Sequence, residues 1–168
     1  MWCIIQESPH NYKVVGSTEV DGYTRSGGTQ FHNGIDIAAS YNSAIYPMYG
    51  GRVVSVGYHD RLGYFVTVQS LVNGHYYIHT YSHLQNENRP LNGSQIQAGT
   101  PVGFQGVSGN LERAIDRGYT AHHTHVMVRK RTGSGWNLER DFSPVNPEEI
   151  MRTKFDANGN PTNPRNCN

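Results

Sequence analysis

The sequence predicts a single, mainly β domain, and three observations carry that expectation. Glycine and proline are plentiful, at 19 and 8 residues, while 16% of the 168 residues are charged, a mixture suited to short strands joined by turns. From residue 31 onward, β-branched and aromatic runs recur between Gly-bearing turns. Two stretches alone read as helical, both short. The length of 168 residues fits one domain with room for a real core.

Residues 1–30 are rich in Gly, Ser and Thr without clear periodicity, so an irregular lead-in is expected there. Ile35-Asp36-Ile37 then alternates, and Arg52-Val53-Val54-Ser55-Val56 is a β-branched run after a Gly pair. Tyr64 to Gln69 and Tyr76 to Tyr81 flank Asn73-Gly74, the signature of a tight hairpin. Gly99 to Phe104 reads as a further strand entered through a turn, and residues 123–129 as the last strand. One helix is expected over Asn110 to Asp116, with Asn110 as cap. A second is expected after Asn146, with Pro147 at the first helical position and Glu148 and Glu149 in the positive first turn. The tail, 153–168, is loop-rich. No internal repeat is visible.

A net charge of +1 sets up no strong field, which argues against nucleic acid as a partner. No apolar run approaches the roughly 18 residues of a membrane span. Residues 1–7 lack the basic segment and long apolar stretch of a signal peptide. The expectation is a leader already removed or an export route that needs none. Cys3 and Cys167 stand near opposite ends; they are either a terminus-to-terminus staple or two free thiols. Neither has the local spacing of a zinc site.

Nine histidines stand out more than any charge run. In His123-Thr124-His125, alternation along a strand puts both imidazoles on one face, one able to bind a metal while the other points at whatever that metal holds. In His32-Asn33-Gly34-Ile35-Asp36, the glycine lets the chain bend so that an imidazole and a carboxylate converge. Asp36 sits between two isoleucines, and an acid buried there is costly unless paired or metal-bound. Tyr81-Ser82-His83-Leu84 ends the aromatic strand. Two histidines and an aspartate leave a fourth tetrahedral position open, the pattern of a catalytic rather than a structural zinc. Two further histidines are then at hand for proton transfer.

These residues, in this order, resemble the lysostaphin and LytM-type zinc metallopeptidases (the M23 peptidoglycan endopeptidases). Members carry an H-x(3)-D motif, a Y-x-H-L motif and an H-x-H motif, read here as His32…Asp36, Tyr81-Ser82-His83-Leu84 and His123-Thr124-His125. Gly51-Arg52-Val53-Val54, Gly63-Tyr64 and Gly99 to Gly103 also match, so the resemblance runs from about Phe31 to Val128. It implies a compact antiparallel β-sheet domain over 31–152 with a long active-site groove. It further implies Zn2+ on His32, Asp36 and His125, catalysis by His83 and His123, and peptidoglycan peptides as substrate. A monomer acting in the periplasm or outside the cell is expected, with an inhibitor or immunity protein if it serves as a toxin. The family often places a tyrosine upstream of the first motif, and Tyr23 is the nearest candidate.

Departures from the family's pattern are the stretch from Asn110 to His122, expected to rim the groove, and His122, expected to point away. His75 and His79 are assigned to the surface or to support behind the site. The alternative reading is an inactive wall-binding module of the same fold, which the presence of all five site residues disfavours. A D,D-carboxypeptidase of another fold would need a Glu shortly before its last His, and none precedes His123. Nucleophilic hydrolysis lacks any Gly-x-Ser-x-Gly turn. An EF-hand starting at Asp156 fails because Pro161 and Cys167 occupy the Gly and Glu positions.

Overall fold

The β-branched and aromatic runs become the strands of a computed structural model that describes residues 1–4, 15 and 19–162. In chain order these are β1 (Gly22–Arg25), β2 (Gln30–His32), β3 (Ile35–Ala38), β4 (Ala44–Ile45), β5 (Gly51–His59), β6 (Gly63–Val72), β7 (His75–Leu84), β8 (Gln95–Ile96), β9 (Gly103–Phe104), β10 (His123–Arg131) and β11 (Phe142–Val145). The α-helix is α1 (Leu111–Asp116). The main sheet has seven strands in the order β11-β10-β7-β6-β5-β8, with β3 also paired to β10. Each of these strand pairs is antiparallel; β3 takes the first half of β10 and β7 the second. Two small pairs, β1 with β2 and β4 with β9, stand beside it.

Alternation gives the sheet two unlike faces. Ile35, Ile37, Val126 and Val128 point into the core, where Val66, Val68, Met48 and Ile150 join them. Asp36, His123 and His125 point the other way, onto the open face. The core face also holds a chain of polar groups running in one direction. Ser70 Oγ donates to Gly50 O at 2.8 Å and so accepts from His79 Nε2 at 2.9 Å. Tyr81 Oη accepts from Met48 N at 2.7 Å and gives its proton to His79 Nδ1 at 2.7 Å. His79 is fully buried and satisfied only as a neutral imidazole, and burial pushes its pKa down to about 3. It supports the core rather than the site, and His75 is exposed.

Some local expectations are corrected. The lead-in is not wholly irregular: Gly22–Arg25 forms a strand on Gln30–His32, while residues 5–14 and 16–18 lie outside the described residues. The strand expected over Gly99 to Phe104 shrinks to β9, because Thr100 closes a turn onto Gln97 O and Pro101 has no N–H to give. Asn110 makes no side-chain cap. Asn146 does cap, accepting from Glu148 N at 2.9 Å, but the capped segment, Pro147–Glu149, is a 3-10 turn rather than an α-helix. Residues 153–162 carry a lone bridge, Phe155 to Pro161. Cys3 is disulfide-bonded; Cys167 lies outside the described residues.

Candidate metal centre

The site is assembled by register. In the β3–β10 ladder His125 lies directly opposite Asp36, so their side chains leave neighbouring positions on the same face. His32 ends β2, and the chain returns to β3 through Gly34, whose φ is +122°. A Cβ on Gly34 would stand 2.4 Å from Val126 O and 2.9 Å from His125 Cε1, so the turn can pass over His125 only with glycine there. The nitrogens of His32 and His125 and a carboxylate oxygen of Asp36 consequently lie within 4.8 Å of one another.

Hydrogen bonds orient the rings. His32 Nδ1 donates to Val20 O at 3.1 Å, leaving Nε2 as the lone-pair nitrogen. That Nε2 is buried without a hydrogen-bond partner and sits 3.4 Å from Asp36 Oδ2. His125 Nδ1 faces Asp36 Oδ1 at 2.5 Å. A partnerless buried nitrogen beside two further donors of the N, O type is a set a divalent ion such as zinc would complete.

His83 and His123 are brought to the same place. His123 shares its face of β10 with His125, and its Nε2 is 3.5 Å from Asp36 Oδ2. His83 arrives by a different route. Tyr77 and Tyr81, at the same parity on β7, enter the core, but His83 has φ +60°. Left-handed backbone at a non-glycine residue is rare and concentrates at functional sites. It is held by His83 N donating to Leu62 O at 2.7 Å and by Gly106 N donating to His83 O at 2.8 Å. The ring therefore swings to the open face and meets His123 edge to face, with centroids 5.2 Å apart. Both rings give Nδ1–H to a carbonyl, His83 to Ser108 O at 2.9 Å and His123 to Ala121 O at 2.8 Å. Nε2 is left on each as the proton acceptor.

Burial dominates the electrostatics. It pushes His83 down to about 4, with the neighbouring His123 adding to the effect, and it lowers His123 as well. Burial alone would raise Asp36, but the hydrogen bond from His125, and then the nearby His32 and the charges of His123 and His125, hold its carboxyl well below the usual range. His32 is raised because the adjacent Asp36 carboxylate outweighs its burial.

Two residues at the site have no forecast in the sequence. Arg25 Nη2 reaches Asp36 Oδ2 at 3.2 Å and Glu19 Oε2 at 2.5 Å. Glu19 Oε2 is 4.0 Å from His32 Nε2, and burial, reinforced by Asp36, raises its pKa to about 7. Tyr23, the upstream tyrosine, does not enter. It is 70% exposed and packs edge-on against Phe31. The β1–β2 register shifts between Tyr23 and Arg25, so the two do not share a side as regular i, i+2 neighbours would. Both Arg25 and Glu19 come from a stretch whose composition suggested only loop.

The five predicted residues line one cavity of ≈ 810 Å³. The β1–β2 hairpin walls it on one side, and Leu111, Ala114, Tyr119 and Thr120 from the 110–122 segment wall it on the other. His122 is not among the lining residues and packs near Tyr41.

Solved structures share this architecture. A catalytic-domain mutant of the prophage-encoded M23 protein EnpA from Enterococcus faecalis is 27% identical, with a TM-score of 0.58 over 80% of this chain and 89% of that one. The catalytic domain of the antimicrobial peptidase lysostaphin from Staphylococcus simulans is 20% identical, with a TM-score of 0.58 over 84% and 92%. A zinc containing peptidase from Vibrio cholerae is 20% identical, with a TM-score of 0.58 over 86% of this chain and 38% of that one. No curated protein matches by sequence. A sequence profile described as "Peptidase family M23" matches residues 30–146, which span β2 to the start of the last 3-10 turn and hold all five site residues. The chain belongs to peptidase family M23.

Proposed function

We propose that this protein is a zinc-dependent endopeptidase that hydrolyses peptide bonds in bacterial peptidoglycan. The observation that carries the reading is the convergence of His32, Asp36 and His125 within 4.8 Å, with His83 and His123 facing the same cavity. Bound zinc would supply Lewis-acid polarisation of the scissile carbonyl and of the attacking water. The chain's own residues supply the rest. His83 and His123 each present a bare Nε2, fixed by the Nδ1 hydrogen bond behind it. One accepts the proton of the water and, once charged, passes it to the leaving amine. Arg25, itself held by Glu19, holds Asp36 from the N-terminal side. The 110–122 wall narrows the cavity and selects which peptide enters.

Peptidoglycan as substrate is supported by the family and by the antimicrobial peptidase among the structural neighbours. Such a substrate would be met in the periplasm or outside the cell. Retention of all three ligands and both histidines favours an enzyme over an inactive wall-binding module. The test is digestion of purified peptidoglycan with and without a chelator, followed by mass spectrometry of the muropeptides. Chelator-sensitive release of peptides cut at one bond type is expected. Walls left intact by the zinc-loaded protein would overturn the reading.

A further inference from the structure

A second cavity, of ≈ 430 Å³, shares a wall with the metal cavity. The wall is the 106–109 turn and the first turn of α1, where Leu111 and Ala114 line the metal cavity and Glu112 lines the second. Ser108 ties the two sides together. Its carbonyl accepts from His83 Nδ1, while its hydroxyl donates to Leu84 O at 2.7 Å and accepts from Tyr64 N at 2.9 Å.

The second cavity is built from aromatic rings. Tyr41, Tyr58 and Tyr64 line it, with Gln85 and Glu112 between them. Tyr41 and Tyr58 are 59% and 55% exposed. Tyr64 is braced by Tyr58 edge-on at 5.0 Å and by the Arg89 guanidinium 4.9 Å from its centroid. Arg89 is itself anchored to Gly57 O at 2.7 Å and Phe65 O at 3.1 Å. Pre-fixed rings reduce the ordering cost of binding.

This chemistry suits a neutral sugar. A pyranose offers a C–H face that packs on an aromatic ring and a rim of hydroxyl and acetamido groups that need hydrogen-bond partners. Tyrosine combines an apolar ring with a polar tip, and Gln85 and Glu112 add an amide and a carboxylate. An anionic ligand would want a cation in the lining, and none of the described lining residues is Lys or Arg.

We propose that this tyrosine hollow binds the N-acetylhexosamine strand of the cell wall, while the peptide attached to that strand crosses the shared wall into the metal cavity. The identity of the sugar rests on the peptidoglycan reading above. The test is titration of the zinc-loaded protein with a soluble N-acetylglucosamine tetramer, followed by amide chemical shifts. Saturable binding centred on Tyr58, Tyr64 and Gln85 is expected, about tenfold weaker in Tyr58→Ala. Tyr41→Ala, also at an exposed ring, gives a second variant whose folding is not in question. On intact walls Tyr58→Ala should raise KM about tenfold, a loss matching one ring contact, while cleavage of a glycan-free stem peptide keeps its rate. No saturable binding, or equal binding by wild type and both variants, overturns the proposal. Sugar binding without any wall hydrolysis would strike the peptidase reading and support this site. Peptide hydrolysis without sugar binding would do the reverse.

Discussion

Arg25 Nη2 lies 3.2 Å from Asp36 Oδ2, so a guanidinium of the N-terminal hairpin is bonded to the most buried carboxylate of the site. The same nitrogen holds Glu19 Oε2. A bond to a ligating carboxylate fixes its orientation, and losing such a partner typically weakens metal binding about 10–100-fold. Arg25→Met is expected to lower zinc affinity by that factor while leaving the circular dichroism spectrum intact. Competition with a chromophoric chelator measures it. An affinity equal to wild type would mean that Arg25 plays no part in holding Asp36.

His125 and His123 are two residues apart on one face of β10, yet their expected roles differ. His125 Nδ1 faces Asp36 Oδ1, whereas His123 has Nδ1 committed to Ala121 O and turns Nε2 toward the cavity. His125→Ala should therefore lose the metal. His123→Ala should keep it and lose about 10²–10⁴-fold in kcat. Elemental analysis of both purified variants beside a peptide-hydrolysis assay separates the two, and equal zinc content would refute the division of roles.

Much of this candidate site was legible because short motifs name its residues, although the β3–β10 pairing that joins them is long-range. One glycine turn between β2 and β3 brings His32 to Asp36, the β3–β10 register sets His125 opposite Asp36, and alternation puts His123 beside His125. His83 could be named by its motif but not aimed by pattern, since Tyr81 at the same parity is in the core and a left-handed backbone alone turns the ring outward. Arg25 was illegible because its place depends on a register shift in a short hairpin, and Glu19 because it sits in the irregular stretch before that hairpin, where periodicity carries no signal. The long strands were readable from β-branched runs. The two-residue strands β4, β8 and β9 owe their existence to tertiary pairing, which local preference does not encode.

Gln105 bridges the strands that bear the two proposed catalytic histidines. Its fully buried Nε2 donates to His123 O at 2.6 Å and to Gly106 O at 3.0 Å, and it lies 3.5 Å from His83 O. Gln105→Leu is close in volume but removes these donors, leaving a buried carbonyl unpaired at a cost of about 1–3 kcal/mol. A fall in Tm of about 2–4 °C per kcal/mol is expected at this chain length. As a positioning residue, Gln105 should also affect kcat more than KM, because zinc and the cavity walls are untouched. A variant with lower Tm but unchanged kcat would assign Gln105 to stability alone.

His79 should give the metal-free protein a measurable pH dependence of stability. Its pKa falls from 6.5 to about 3 on folding because burial strips the charged ring of its solvent, and a protonated Nδ1 would also give up the hydrogen bond it accepts from Tyr81. Below 6.5 the unfolded chain takes up a proton there that the folded chain does not, so unfolding gains. The stabilising contribution is complete above 6.5 and drains away as pH falls toward 3, at roughly 1.4 kcal/mol per pH unit. His79→Gln removes this one titration but leaves those of the site histidines in place. Urea unfolding with chelator present, repeated between neutral pH and the acid range, should show a shallower decline for the variant than for wild type. Parallel declines would mean that His79 is already neutral in the unfolded chain or charged in the folded one, and the directed chain from Tyr81 to Gly50 would then have to be redrawn.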